Sequence, residues 1–237
     1  MKLTLGVVHG DTTDGWFIGP FTNFLVNPKV RSLIELTDPV LVRSGPDLAM
    51  GRGHVVGEFL EHRDGDALLM LDSDMAFTPQ TIVDMWQVWG KLLEQGHQIL
   101  GGLAFILGGP KVNTEHMRPN IWMDDPEKGP PFMCQVLNYP RNQLLRVAGT
   151  GAACLMIGRE VLDKMRPNPF AIYNLPDGDR LSEDLSMCRR ARDLGFEIHH
   201  HTGIKFDHAK TVLVGEDDYL PALEHYEMLN VPEEVPV

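Results

Sequence analysis

The chain is short of cysteine, of positive charge and of long apolar runs. Its 237 residues hold three cysteines, Cys134, Cys154 and Cys188, an odd number with no Cys-x-x-Cys spacing. Neither a disulfide framework nor a zinc knuckle is indicated. Lysine and arginine total 21 against 33 aspartates and glutamates, a formal net charge of −12. Nucleic-acid binding normally demands a basic face, so no nucleic-acid partner is expected. An anionic small molecule stays compatible, because a bound divalent cation can reverse the local sign of an acidic site. No apolar run approaches the ~20 residues that cross a bilayer. The opening "MKLTLGVVHGD" breaks its apolar stretch at His9 and Asp11, unlike a signal peptide. The expectation is a cytoplasmic protein without a transmembrane segment. Internal repeats, charge runs and low-complexity linkers are lacking too.

What is present describes an ordinary globular chain, 43% hydrophobic and 23% charged, long enough for one large domain rather than two. The first two-fifths alternates strand-like and helix-like segments. "LTLGVV" (3–8), "PVLVRSG" (39–45), "ALLML" (67–71) and "QILGGLAFI" (98–106) read as strands. Between them fall a short helix near "PFTNFLVN", a helix over 47–62 opened by Asp47, and a helix over 79–96. Thr78 caps that last helix, Pro79 starts it and Gly96 closes it. Such alternation predicts a parallel sheet covered by helices, with ligands outside the carboxyl ends of its strands. Residues 107–146 are rich in glycine and proline, with two short strands ("NIWM", "FMCQVL"), and read as a functional loop region. "LLRVAGTGAACLMIG" is then a strand pair broken by glycines, "REVLDKM" a short helix, "SEDLSMCRRARDLG" a helix, "FEIHHH" a strand and "YLPALEHYEMLN" an amphipathic helix.

The third strand ends in "LLMLDSDMAF" (68–77), which places Asp72 and Asp74 around Ser73. A helix cap is a poor explanation, since Thr78 already holds that place. An EF-hand loop fails at Ala76, where a third oxygen ligand belongs. A phosphatase of the haloacid dehalogenase type would carry Asp-x-Asp near the first strand and follow it with threonine. A solvated turn and a divalent-ion site remain. In an extended Asp-x-Asp, residues i and i+2 point the same way and aim two hard oxygen ligands at one point. Mg²⁺ or Mn²⁺ held by one or two carboxylates keeps positions that substrate phosphates fill.

"DALLMLDSDMAF", "VAGTGAACLMIGREVL" and "LSEDLSMCRRARDLGFEIHHHTGIKFDHAK", in that order, resemble glycosyltransferases of the GT-A fold. The likeness is to family-two-like enzymes and small microbial or phage-encoded relatives, over roughly residues 3–210. It implies an α/β, Rossmann-like, mixed and mostly parallel sheet flanked by helices. Residues 1–106 would form the nucleotide-binding half of a single domain over 1–237, and 107–237 the acceptor half. Implied too is transfer of a sugar from a UDP- or GDP-linked donor to a hydroxyl of a glycan, small molecule or protein, with Mn²⁺ or Mg²⁺ as cofactor.

By that resemblance Asp74 ligates the metal directly, Asp72 reaches it through water or touches the ribose, and His208 completes the shell. Imidazole beside carboxylates suits Mn²⁺ better than Mg²⁺. Asp184 would be the general base, within the pair Glu183-Asp184 at a helix start. Ser182 as N-cap and the helix dipole explain acids there equally well. Gly149 and Gly151 allow close approach of a donor sugar or tight packing, and both stay open. Asp11, Thr12 and Thr13 after the first strand and Ser44-Gly45 after the second would line the nucleotide with Ser73, and Arg52 would reach base or phosphates. Trp16 and Trp122 are ring platforms or packing residues. His199 and His201 share a strand face that could hold a metal, a polar strand end being preferred. "VVHGDTTDG" and "VRSG" depart from the family pattern and leave the base undecided. Stereochemistry is open, since inverting and retaining enzymes share the donor architecture. Two alternatives are a nucleotidyl or phosphoryl transferase, against which the loop "HGDTTDG" lacks a basic residue, and a non-catalytic nucleotide-sugar-binding module.

Overall fold

A computed structural model describes residues 1–45, 47–107 and 117–209. From the amino terminus run β1 (Lys2–His9), α1 (Gly15–Val26), α2 (Pro28–Leu33), β2 (Glu35–Leu36), β3 (Val40–Arg43) and α3 (Leu48–His62). Next come β4 (Ala67–Asp72), β5 (Met75–Ala76), α4 (Pro79–Glu94), β6 (Ile99–Leu103) and β7 (Phe105–Leu107). The middle holds β8 (Met117–Pro119), β9 (Ile121–Asp124), β10 (Met133–Gln135), β11 (Leu144–Val147) and β12 (Gly149–Thr150). The chain continues with β13 (Cys154–Gly158), α5 (Arg159–Lys164), α6 (Glu183–Asp193), β14 (Ile198–Lys205) and β15 (Asp207–His208).

One large sheet takes the order β11-β14-β6-β13-β4-β1-β2, with β3 also on β1. β2, β3 and β4 are parallel to β1, and β14 is parallel to β6. β13 runs antiparallel between β4 and β6, and β11 antiparallel to β14. Both faces of this sheet are covered, which is why β4 carries five consecutive apolar residues rather than alternation. Leu69 and Leu71 point to one core with Phe17, Phe21 and Phe24 of α1 and Trp86 and Trp89 of α4. Leu68 and Met70 point to the other, with Val55 and Phe59 of α3 and Val161 and Leu162 of α5. Each fully buried Leu or Phe contributes on the order of 2 kcal/mol relative to exposure.

Local chemistry sets the helix ends. Thr78 accepts from the Thr81 N–H in a reciprocal capping box, and Pro79 follows it. Asp47 accepts from the Met50 N–H at the start of α3. Three features depart from the sequence expectation. α1 starts at Gly15 and contains Pro20, and α2, capped by Asn27, was not anticipated. The three histidines are not a polar strand end: β14 runs on to Lys205, and His199 and His200 are buried between β6 and β11. Burial holds the His200 imidazole neutral, its pKa pushed down to about 3. The expected helix over 219–230 lies outside the described residues.

Candidate active site

The carboxyl ends of β1, β3, β4, β6 and β14 share one edge of the sheet. Asp72 is the last residue of β4, and its N–H donates to the Ala153 carbonyl at 3.1 Å. The chain then turns at Ser73 and Asp74 and returns as β5. This turn corrects the expectation of an extended Asp-x-Asp with both acids aimed at one point. The i, i+2 rule holds only in a straight strand, and here the two acids have different partners.

Asp72 faces Arg52 of α3, a side chain only 2% exposed. Arg52 Nη1 lies 2.9 Å from Asp72 Oδ1, and Nη2 lies 3.1 Å from Oδ2. Its Nε reaches Glu183 Oε1 at 3.3 Å, and Nη1 also donates to the Ala152 carbonyl at 3.3 Å. The fork of Arg52 is occupied by two acids and a carbonyl. Burial by itself would lower the pKa of Arg52, but Asp72 and Glu183 outweigh it and raise the pKa. Burial, and next the charge of Asp184, push the Glu183 carboxyl above its usual range against the pull of Arg52.

Asp184 stands in the first turn of α6, where the helix dipole favours a carboxylate. Ser182 occupies the N-cap position, yet its hydroxyl goes to Asp184 Oδ1 instead of a helix N–H. The same oxygen accepts from the Leu185 N–H at 2.8 Å. Oδ2 faces Gly151, where a Cβ would stand 3.6 Å away. Gly149 is a packing position: a Cβ there would come within 2.8 Å of Leu185 Cδ2 and 3.1 Å of Met133 Sδ.

Asp74 meets His208, 134 positions away, with Oδ2 at 2.9 Å from Nε2. β15 pairs with β5, His208 opposite Met75, and the Ala209 N–H donates to the Asp74 carbonyl at 2.8 Å. His208 Nδ1 lies 2.9 Å from the Phe105 carbonyl. A carbonyl only accepts, so Nδ1 carries a hydrogen and Nε2 is the nitrogen turned to the carboxylate. A carboxylate oxygen and an oriented imidazole nitrogen form a donor set that fits Mn²⁺.

On the neighbouring strands, Asp11 and Thr12 follow β1, and Ser44 follows β3 with its N–H on the His9 carbonyl at 2.8 Å. Asp11 pairs with the exposed Arg43, a residue that sequence reasoning passed over although it closes β3 opposite His9. The orienting carbonyl of Phe105 was also missed, and no sequence signal marks a backbone acceptor. Trp16 is 73% exposed at the start of α1, and Trp122 lies on β9 opposite Gly149. Two clefts of about 640 Å³ lie elsewhere, one lined by Trp89 and Arg159, the other by Arg146 and Arg192. The site is picked out by its chemistry, not by cleft size.

No family model matches the chain, and no curated protein matches it. Solved structures do. The crystal structure of A197 from STIV is similar at 18% identity and a TM-score of 0.51, over 91% of this chain and 97% of that one. GalNAc-T7, crystallised with UDP, GalNAc and Mn²⁺, is similar at 10% identity and a TM-score of 0.58. That match covers 89% of this chain and 43% of the other, so the chain spans under half of GalNAc-T7. The likeness to a CMP:2-keto-3-deoxy-manno-octonic acid synthetase with CTP has a TM-score of 0.45 and bears no weight. The fold is of the GT-A, Rossmann-like type. Among the described residues, no helix is long and apolar enough to cross a membrane.

Proposed function

We propose that the chain is a glycosyltransferase that moves a sugar from a UDP- or GDP-linked donor to an acceptor hydroxyl. The observation that carries the reading is the meeting of Asp74 and His208 at the carboxyl edge of the sheet. Mn²⁺ or Mg²⁺ held by these two would supply positive charge against the charge that grows on a departing nucleoside diphosphate. Asp72, with both oxygens against Arg52, serves as the anchor of that guanidinium and of the turn, and not as a direct ligand. Ser73, Asp11, Thr12 and Ser44 line the nucleotide side.

Asp184 is the group we assign to the acceptor. Ser182 and the Leu185 N–H hold Oδ1, which leaves Oδ2 toward Gly151 to take a proton. In the inverting course, the acceptor oxygen bonds to the anomeric carbon as the bond to the diphosphate breaks. The acceptor's proton passes to Asp184 Oδ2. Arg52 and Glu183 position this base, joining α3 to the start of α6.

Labelled UDP- and GDP-sugars, Mn²⁺ and a panel of hydroxyl acceptors test the reading. Release of free UDP or GDP with a glycosylated product is expected. Pyrophosphate release from a nucleoside triphosphate and a sugar phosphate would instead establish nucleotidyl transfer. Nucleotide binding without turnover on any acceptor would establish a binding module.

A further inference from the structure

The amino edge of the sheet carries a second group of ligand-type side chains. β6 and β14 are parallel neighbours, with Ile99 opposite Ile198 and Leu100 opposite His199. The turns leading into them therefore run side by side. The α4–β6 turn reverses at Gly96, φ +84°, and presents His97; the α6–β14 turn reverses at Gly195, φ +87°, and presents Glu197. His199 follows on β14 itself. His97 Nδ1 lies 3.5 Å from Glu197 Oε2, and His199 Nε2 lies 3.8 Å from the same oxygen. The two ring centroids are 4.5 Å apart, and one ligand atom from each residue falls within 4.8 Å of the others.

These spacings exceed the ~2.9 Å of a normal N–H···O hydrogen bond. They approach instead the edge of a tetrahedron with Zn–N and Zn–O bonds of 2.0–2.1 Å, about 3.4 Å. Glu197 is also held for the purpose. Its Oε1 pairs with Arg146 Nη1 at 2.9 Å, which turns Oε2 to the two rings, as outer partners orient the ligands of metal sites. His199 is only 8% exposed, and its Nδ1 has no hydrogen-bond partner among the described residues. Its Nε2 is the nitrogen turned to Glu197, and it is the one a cation between the three side chains would take.

We propose that His97, Glu197 and His199 form a divalent-cation site, suited to Zn²⁺ by its two imidazoles and one carboxylate, with a fourth position open to solvent. The ion would pin two turns that the sheet leaves adjacent. The sequence offered His201 as the partner of His199; parallel register supplies His97. This inference does not depend on the transferase reading, because the two sites lie at opposite edges of the sheet.

The test uses the Asp74→Ala chain, in which the pair at the carboxyl edge is broken. Zn²⁺ titrated against a chromophoric chelator should bind with a stoichiometry of one. His97→Ala and Glu197→Gln, each in that background, should weaken binding by roughly 100-fold or more, at least as much as losing an outer-shell partner costs. Co²⁺ should give the visible absorption of four-coordinate geometry, lost in Glu197→Gln. His97 and Glu197 are part-exposed, so both variants should fold, and circular dichroism checks it. No stoichiometric binding to the Asp74→Ala chain, or unchanged affinity in the His97→Ala and Glu197→Gln variants, overturns the proposal.

Discussion

Two acids stand at the carboxyl edge of the sheet, two residues apart in the chain, and their pairings are built in opposite ways. Asp72 is paired with a guanidinium that is 2% exposed, always charged and fixed by four contacts. Asp74 is paired with an imidazole that keeps one nitrogen for a carbonyl and turns the other outward to the acid. A buried arginine cannot deprotonate or leave, so the first pairing is architecture. An imidazole can exchange the proton on its nitrogen for a metal ion, so the second can bind. The lesson is that a paired-acid motif divides its labour: one acid builds the turn and the other presents itself.

The strongest way to break this comparison is Arg52→Met. It leaves Asp72 and Glu183 without their buried cation and should destabilise the fold by about 3–5 kcal/mol, a fall of roughly 10 °C in Tm. Thermal unfolding measures it, and a shift below ~2 °C would show that Arg52 is not structural. Asp74→Ala should act the other way. Turnover should fall about 10³-fold while Tm stays within a few degrees, since a half-exposed acid at a turn supports little of the fold. Asp184→Asn separates the two ends of the reaction. Transfer should fall by about 10²-fold with metal-dependent nucleotide binding intact, and parallel loss of both would remove Asp184 from the acceptor side.

The smallest effect sharpens the role of burial. Arg192 grips Asp124 with two hydrogen bonds, at 2.8 and 2.7 Å, but that carboxylate is 37% exposed. Arg192 holds the Asp124 pKa below its ordinary value. Its contribution is therefore full above the unfolded value of 3.8 and is lost as pH falls through the lower folded one. Asp124→Asn should cost about 1 kcal/mol or less at pH 7. The difference in Tm between parent and variant should close in acid, and a constant difference down to pH 2 would assign it to packing.

Much of the fold was readable from the chain because its elements announce themselves locally. Thr78-Pro79, Asp47 and the unbroken apolar run of β4 each carry their own signal. Asp74 and His208 were singled out through the family resemblance, and spacing alone did not join them. The rest was hidden for physical reasons. The direction of Asp74 depends on a turn at Ser73, which replaces the extended geometry that the i, i+2 argument assumes. Arg52 meets Glu183 across 131 positions, and no periodicity within α3 encodes an acid on α6. His97 finds Glu197 and His199 only through the parallel register of β6 and β14. α2 is six residues long, too short for an apolar period to mark it.

The central claim is that Asp74 and His208 together hold the cation that anchors a nucleoside diphosphate. Thermal unfolding of the parent, Asp74→Ala and His208→Ala chains with UDP or GDP, with and without Mn²⁺, tests it most directly. At a nucleotide concentration of about 100 times Kd, the parent should gain roughly 5–10 °C with one nucleotide, only when Mn²⁺ is present. Neither variant should gain. An equal gain in all three chains, or one that survives chelation, contradicts the account.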